Sequence, residues 1–292
     1  MAFVTGSASS LADLLTGIQN ACTTNGWTLS GSVLHKGTCY MELKVSGSFI
    51  TLRGGRGIDG SNALTNATDQ AVANLGIVSM GIAFAFPMTY FIHVLASPDE
   101  VYVVVNYGVV YYQTLGFGQS ALSGMAASGN WYCGPTISTS IHLGFNTPQG
   151  AEYDGVGGGN GAAFSLFCRE NAAPTNHSRG VDHGLDGLNT WAELGCKYDW
   201  ASLYWRQPNQ WNSESILIPI RAYAQRPSGF ISPVLECAHA RQVNIASLAD
   251  QQIITLGTDK WKIYPWWSRG ATNTRGTADS GLGGHAIRYD GA

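Results

Sequence analysis

The chain has 292 residues, enough for one large core or two smaller ones, and only 12% of them are charged against 45% hydrophobic. Its 16 Lys and Arg and 19 Asp and Glu give a formal net charge of -3. With no basic run or tail, this excludes an electrostatic footprint for specific nucleic-acid binding, while so small a charged fraction is what a subunit covered by neighbours tolerates, or what a surface of Ser, Thr, Asn and Gln makes up for.

The opening "MAFVTGSASSLADLL" has no positive charge ahead of its apolar positions and does not read as a secretory signal. Within "SLADLLTGIQNACTTNGW" the serines can cap a helix, Leu11, Leu14, Leu15 and Ile18 recur near one turn, and Asn25 with Gly26 supplies the stop. After Trp27 the pattern changes to short alternating runs broken by glycine. These predict an antiparallel meander of three strands, Thr28 to His35, Cys39 to Val45 and Phe49 to Arg53. "GGRGIDGSNAL" then reads as a turn, lacking the glycine spacing and the lysine of a nucleotide loop.

The apolar stretch from Leu75 to Ala96 has the length of a membrane span, roughly 20 residues. Pro87, His93, Gly76, Gly81 and the lack of flanking basic anchors argue against a span. Tyr90 to Ala96, Glu100 to Tyr107 and Val109 to Leu115 read instead as strands, joined by "SPD" and "NYG" turns and ended by Gly116 and Gly118. Strands apolar on both faces require cover on both sides.

From about Ser123 to Asn212 the chain is rich in Gly, Asn and Pro, with Trp131, Trp191, Trp200, Trp205 and Trp211 standing singly among them. Strand patterns return at Ser215 to Tyr223, Phe230 to Glu236, Ile253 to Leu256 and Lys260 to Tyr264. The fold class is therefore α+β, predominantly antiparallel β with an N-terminal helix and a loop-rich central insertion. Its divisions are 1–122, a helix plus β-rich core module; 123–212, a loop-rich aromatic insertion or second module; and 213–292, C-terminal strands completing the core.

The cysteines at 22, 39, 133, 168, 196 and 237 form no CxxC pair and read as reduced thiols of a protein made in a cytoplasm. "HSRGVDHGLDG" gathers His177, Asp182, His183 and Asp186, with Cys196 downstream, but the spacing matches no metal motif and no metal or cofactor is assigned. No GxSxG elbow occurs, "GNWYCGP" around Cys133 has no base beside it, and Glu152 with Asp154, or Asp182 with Asp186, are carboxylate pairs by proximity alone. No catalytic residue is assigned, and the chain reads as a non-enzyme.

"NGWTLSGSVLHKG", "FITLRGG", "YFIHVLASPDEVYVVVNYGVVYYQTLGFGQ", "SGNWYCG" and "GLGGHAIRYDG" together resemble a group of tailed-bacteriophage virion proteins associated with the tail or its baseplate. The resemblance lies mainly in residues 20 to 135 and the last dozen. It implies a structural component of the virion, assembled in the host bacterial cytoplasm, forming a homo-oligomer and contacting other phage tail or virion proteins. An alternative is a tail component that binds a receptor or host surface carbohydrate through Trp205 and Trp211. The architectural positions on this reading are Trp27, Leu34 and Gly37 in the meander and Tyr102, Val104 and Tyr107 in the central sheet. Phe117 and Gly118 would close the sheet edge, Trp131 the connection beyond it, and Arg288 and Tyr289 would form a C-terminal anchor.

In "DKWKIYPWWSRG" alternation puts Trp261 and Ile263 on one face of a last strand and Lys260, Lys262 and Tyr264 on the other. Pro265 ends that strand, so Trp266 and Trp267 are expected at the sheet edge, clamping it to the insertion or to an adjacent subunit.

Overall fold

The computed structural model describes residues 1–68, 73–76, 83–138, 161–163, 179–187, 191, 216–227, 230–267 and 283–291. It begins with a strand the sequence pattern does not announce, β1 (Ala2–Ala8), followed by helix α1 (Leu11–Thr24). The Ser10 hydroxyl accepts the Asp13 N–H at 3.1 Å, while the Asp13 carboxylate accepts the Ser9 N–H at 2.8 Å, so cap and first turn satisfy each other's donors. Leu14, Ile18, Ala21 and Cys22 are buried on one stripe. The helix stops at Asn25 and Gly26, whose φ of 86° is open to glycine without a Cβ clash.

The meander follows as β2 (Thr28–Ser30), β3 (Val33–Lys36), β4 (Cys39–Ser46) and β5 (Phe49–Gly55). The run expected as one strand from Thr28 to His35 is two, because a turn at Gly31 and Ser32 folds Ser30 back onto Val33. After the two-residue strands β6 (Gly57–Ile58) and β7 (Leu64–Thr65) comes β8 (Ala73–Leu75), which completes an antiparallel sheet ordered β2-β3-β4-β5-β8.

The central strands are β9 (Met88–Leu95), β10 (Glu100–Tyr107), β11 (Tyr111–Gln119) and β12 (Asn130–Cys133). Beyond the small pair β13 (Thr136–Ser138) and β14 (Gly161–Ala163), β15 (Arg179–Val181) joins the same sheet, ordered β1-β9-β10-β11-β12-β15. Gly116 and Gly118 do not end the set; both lie inside β11. A Cβ at Gly116 would lie 3.1 Å from the Tyr102 ring, and one at Gly118 only 2.3 Å from the Asp99 carbonyl, so both glycines allow close approach within the sheet.

The chain closes with β16 (Ile218–Gln225), β17 (Ile231–Asn244), β18 (Ile253–Leu256), β19 (Asp259–Pro265) and β20 (Gly283–Arg288), in a sheet ordered β16-β17-β20-β19-β18. Strand β17 runs well past Glu236, and β20 occupies residues read from sequence only as a terminal anchor.

The central sheet is covered on both faces, as its doubly apolar strands require. Ile92, Val94, Val101, Val103, Val105, Leu115 and Phe117 pack with α1 and the meander. Their alternates Phe91, Leu95, Tyr102, Val104 and Trp131 pack with Ile220, Leu235, Cys237, Tyr264 and Ile287 of the C-terminal sheet. The result is an α+β protein, predominantly antiparallel β, with one N-terminal helix. Most of the central insertion lies outside the described residues. Among the described residues no helix is long and apolar enough to cross a membrane.

Candidate functional site

Of the aromatic residues singled out by sequence, those among the described residues lie within the layered core. Trp27 meets Phe117 edge-on at 5.4 Å, and Trp131 lies 5.9 Å from Tyr102 over Gly116. Trp266 and Trp267 are at 1% and 0% exposure instead of at an open sheet edge. The Trp267 indole N–H donates to the Tyr107 hydroxyl at 3.0 Å, which also accepts from Gln113, and the Tyr112 N–H donates to the Trp267 carbonyl at 2.6 Å. The clamp therefore grips the β10–β11 hairpin of its own chain. Trp266 is pressed against Gly283, where a Cβ would lie 2.0 Å from the indole. Trp205, Trp211 and His177 lie outside the described residues.

Arg288 pairs with Asp259, and Tyr289 joins Phe3 and Phe91 around the Lys262 ammonium, with ring centroids 5.2, 5.1 and 5.6 Å from Nζ. Burial holds the Lys262 amine below the usual lysine range. Beneath this cage His93 bridges two sheets: its Nδ1 lies 3.0 Å from the Arg288 carbonyl and its Nε2 2.9 Å from the Tyr264 hydroxyl. The carbonyl can only accept, so Nδ1 carries the proton and Nε2 accepts from Tyr264. Burial pushes the His93 pKa down to about 3, which keeps the ring neutral. Tyr264, grouped by alternation with Lys260 and Lys262, is fully buried because the central sheet covers that end of the strand.

A second buried node joins β10 to β17. In β17, residues 237–240 lie opposite Ile220 alone, an irregularity that leaves backbone groups without ladder partners. Glu100 supplies the acceptors, taking the Ala238 N–H at 2.8 Å, the His239 N–H at 2.9 Å and the Tyr102 hydroxyl at 2.8 Å. Arg241 Nη1 supplies donors to the carbonyls of Cys237, Ala238 and Ala240. Burial raises the Glu100 carboxyl to about 7, against the pull of those donors and of Arg241.

The surface-accessible candidate is a cleft of about 390 Å³ between the meander and the far edge of the central sheet. At its base Asp182, 1% exposed, receives Arg56 Nε at 3.1 Å, Arg56 Nη2 at 2.6 Å and the Ser128 hydroxyl at 2.6 Å. Thr38, Ala126 and Gly184 form walls. Gly184 has φ 63° and a Cβ there would lie 2.9 Å from Ala127, so the close approach of the loop to 126–127 depends on glycine.

His183 beside it is 2% exposed; its Nδ1 accepts the Leu185 N–H at 3.0 Å, and its Nε2 has no partner among the described residues. Burial lowers its pKa, partly offset by Asp182 and Asp186. Asp186 is gripped by Arg226. Asp182 and Asp186 thus both face guanidinium groups, and among the described residues no cluster of three His, Cys, Asp or Glu is placed to hold a metal ion.

No protein-family model matches the chain, and no curated protein matches it. The site must be read from its own chemistry. Ser128 faces a carboxylate already committed to Arg56, and the one His183 nitrogen able to accept a proton is occupied by a backbone donor; no nucleophile–base pair is assembled there. What the cleft offers is hydrogen bonding. Sequence reading overlooked Arg56, treated as turn chemistry, and Ser128 and Glu100, because their partners lie far along the chain. An arginine between two glycines was the one local hint.

Proposed function

We propose that the chain is a structural subunit of a tailed-phage virion, in the tail or baseplate, which works through repeated protein–protein contacts. The observation that carries the assembly reading is the outer edge of β18. Its four residues, Ile253, Ile254, Thr255 and Leu256, include no charge, and Ile253 and Leu256 are 41% and 53% exposed. Free monomers protect such edges with lysine, proline or cover, since an open strand presents unpaired N–H and C=O groups to a neighbouring chain. The apolar tip of the β10–β11 hairpin, with Val109 86% exposed, adds a second uncovered patch. The buried polar nodes at His93 and Glu100, by contrast, hold sheets together.

The virion setting rests on the resemblance of residues 20 to 135 and the last dozen to tail-associated proteins. The carbohydrate alternative through Trp205 and Trp211 concerns residues outside those described. Mass spectrometry of purified particles, with light scattering of the isolated chain, tests the proposal. The expected result is the chain in virions at multiple copies and concentration-dependent association that Ile253→Lys weakens. A strictly monomeric chain absent from particles would overturn it.

A further inference from the structure

We infer that the Arg56–Asp182–Ser128 cleft is a binding site for a neutral saccharide, recognised through adjacent hydroxyl groups. A sugar diol needs donors and acceptors side by side, and the base of the cleft provides both. A guanidinium carries more N–H donors than the Nε and Nη2 bonds to Asp182 use. A carboxylate accepts at roughly four lone-pair sites, and three bonds reach Asp182 from Arg56 and Ser128. Thr38 adds a hydroxyl whose oxygen accepts from Gln119 at 3.2 Å and whose proton remains to donate.

Charge and shape narrow the ligand class. Arg56 and Asp182 cancel, as do Arg226 and Asp186 beside them, so a phosphate or an ammonium gains little net attraction. Among the described residues none of the lining side chains is aromatic, so they offer no stacking surface to a nucleobase. Ala126 and the two glycines at 184 and 187 leave a low wall against which the C–H face of a sugar ring can lie. A volume of about 390 Å³ suits a mono- or disaccharide and falls at the small end of ligand pockets.

Asn130 and His183, next in space and in chain to the lining, are themselves buried; the Asn130 amide nitrogen donates to the Thr38 carbonyl at 2.6 Å and so fixes that wall. The base is also preorganised. Asp182 is held by bonds to the meander and to the 126–128 loop, so little ordering accompanies binding.

The site is independent of the assembly reading, because binding is measured on the isolated full-length chain. Maltose, lactose and cellobiose are titrated into the isotopically labelled protein, with glucuronate and inorganic phosphate as charged arms. The expected result is that at least one neutral disaccharide, at about 10 mM and hence near the millimolar affinity of small ligands, moves the amide signals of residues 126–129 and 182–187. Arg56→Lys should weaken that binding about tenfold, the equivalent of 1.4 kcal/mol. Ala126→Trp, at an exposed wall position, should abolish it at unchanged melting temperature. Three silent neutral sugars, tighter binding of glucuronate or phosphate, or full binding by a folded Ala126→Trp protein would each overturn the assignment.

Discussion

Replacing Glu100 by glutamine should change how stability depends on pH, and the size of that change follows from the β10–β17 node. The carboxyl titrates at about 7 in the folded chain against an ordinary 4.5. A raised carboxyl pKa means the folded state holds the proton more tightly. Its contribution is therefore complete below pH 4.5 and is lost as pH rises through about 7, amounting to about 3 kcal/mol at about 1.4 kcal/mol per pH unit. His93 and His285 act in the opposite sense. Burial lowers each from 6.5 to about 3, so both stay neutral in the fold and stability falls as acid protonates the unfolded chain below 6.5.

Between pH 6.5 and 4.5 these two histidines alone cost about 2.7 kcal/mol per unit of acidification, His183 and His239 act in the same sense, and Glu100 returns about 1.4, so the histidines win. The wild type should lose stability on acidification over this range, and Glu100→Gln about 1.4 kcal/mol per unit more. Urea midpoints of both proteins, measured at steps across the window, give the two slopes directly. The amide also turns an N–H toward the Ala238 or His239 donor, which lowers the variant's stability at every pH but leaves the slope difference intact. Parallel curves for wild type and variant would refute the reasoning.

Trp267→Phe removes the indole bond to Tyr107 and should cost about 1 kcal/mol beyond its lost area, whereas Trp267→Ala should cost about 3–5 kcal/mol; chemical denaturation separates them. Val109 holds φ 77° at 86% exposure, so Val109→Gly should raise stability by up to about 1 kcal/mol, read as a higher melting temperature. Lys262→Met keeps the aliphatic stem but removes the ammonium from among Phe3, Phe91 and Tyr289, and a loss of about 0.5–2 kcal/mol is expected in urea unfolding.

The parts of the fold that were legible in sequence carry their signals within a few residues. Helix α1 has its cap at Ser10 and its stop at Gly26, and β9 to β11 and β18 to β19 have alternation and turn residues at hand. Strand β1 escaped because its second half is Gly6, Ser7 and Ala8; a Cβ at Gly6 would lie 2.4 Å from the Tyr90 hydroxyl, so the strand is defined by the partner that covers it. Strands β12, β15 and β20 are short and pair with distant segments. The cleft was half visible. Asp182 and Asp186 drew notice as ligand types, but Arg56 and Arg226, which determine their chemistry, lie 126 and 40 residues away.

The contact between Phe3 and Tyr289, with ring centroids 4.9 Å apart, bears on how the protein is made. A ribosome releases β1 well before the residues that cover it. The central sheet can form early against α1 and the meander, yet its other face, with Phe91, Tyr102, Val104 and Trp131, stays bare until β16 to β20 emerge. During that interval the nascent chain displays a sticky half-built sandwich, which makes the time before β16 to β20 emerge the one when chaperone capture matters most.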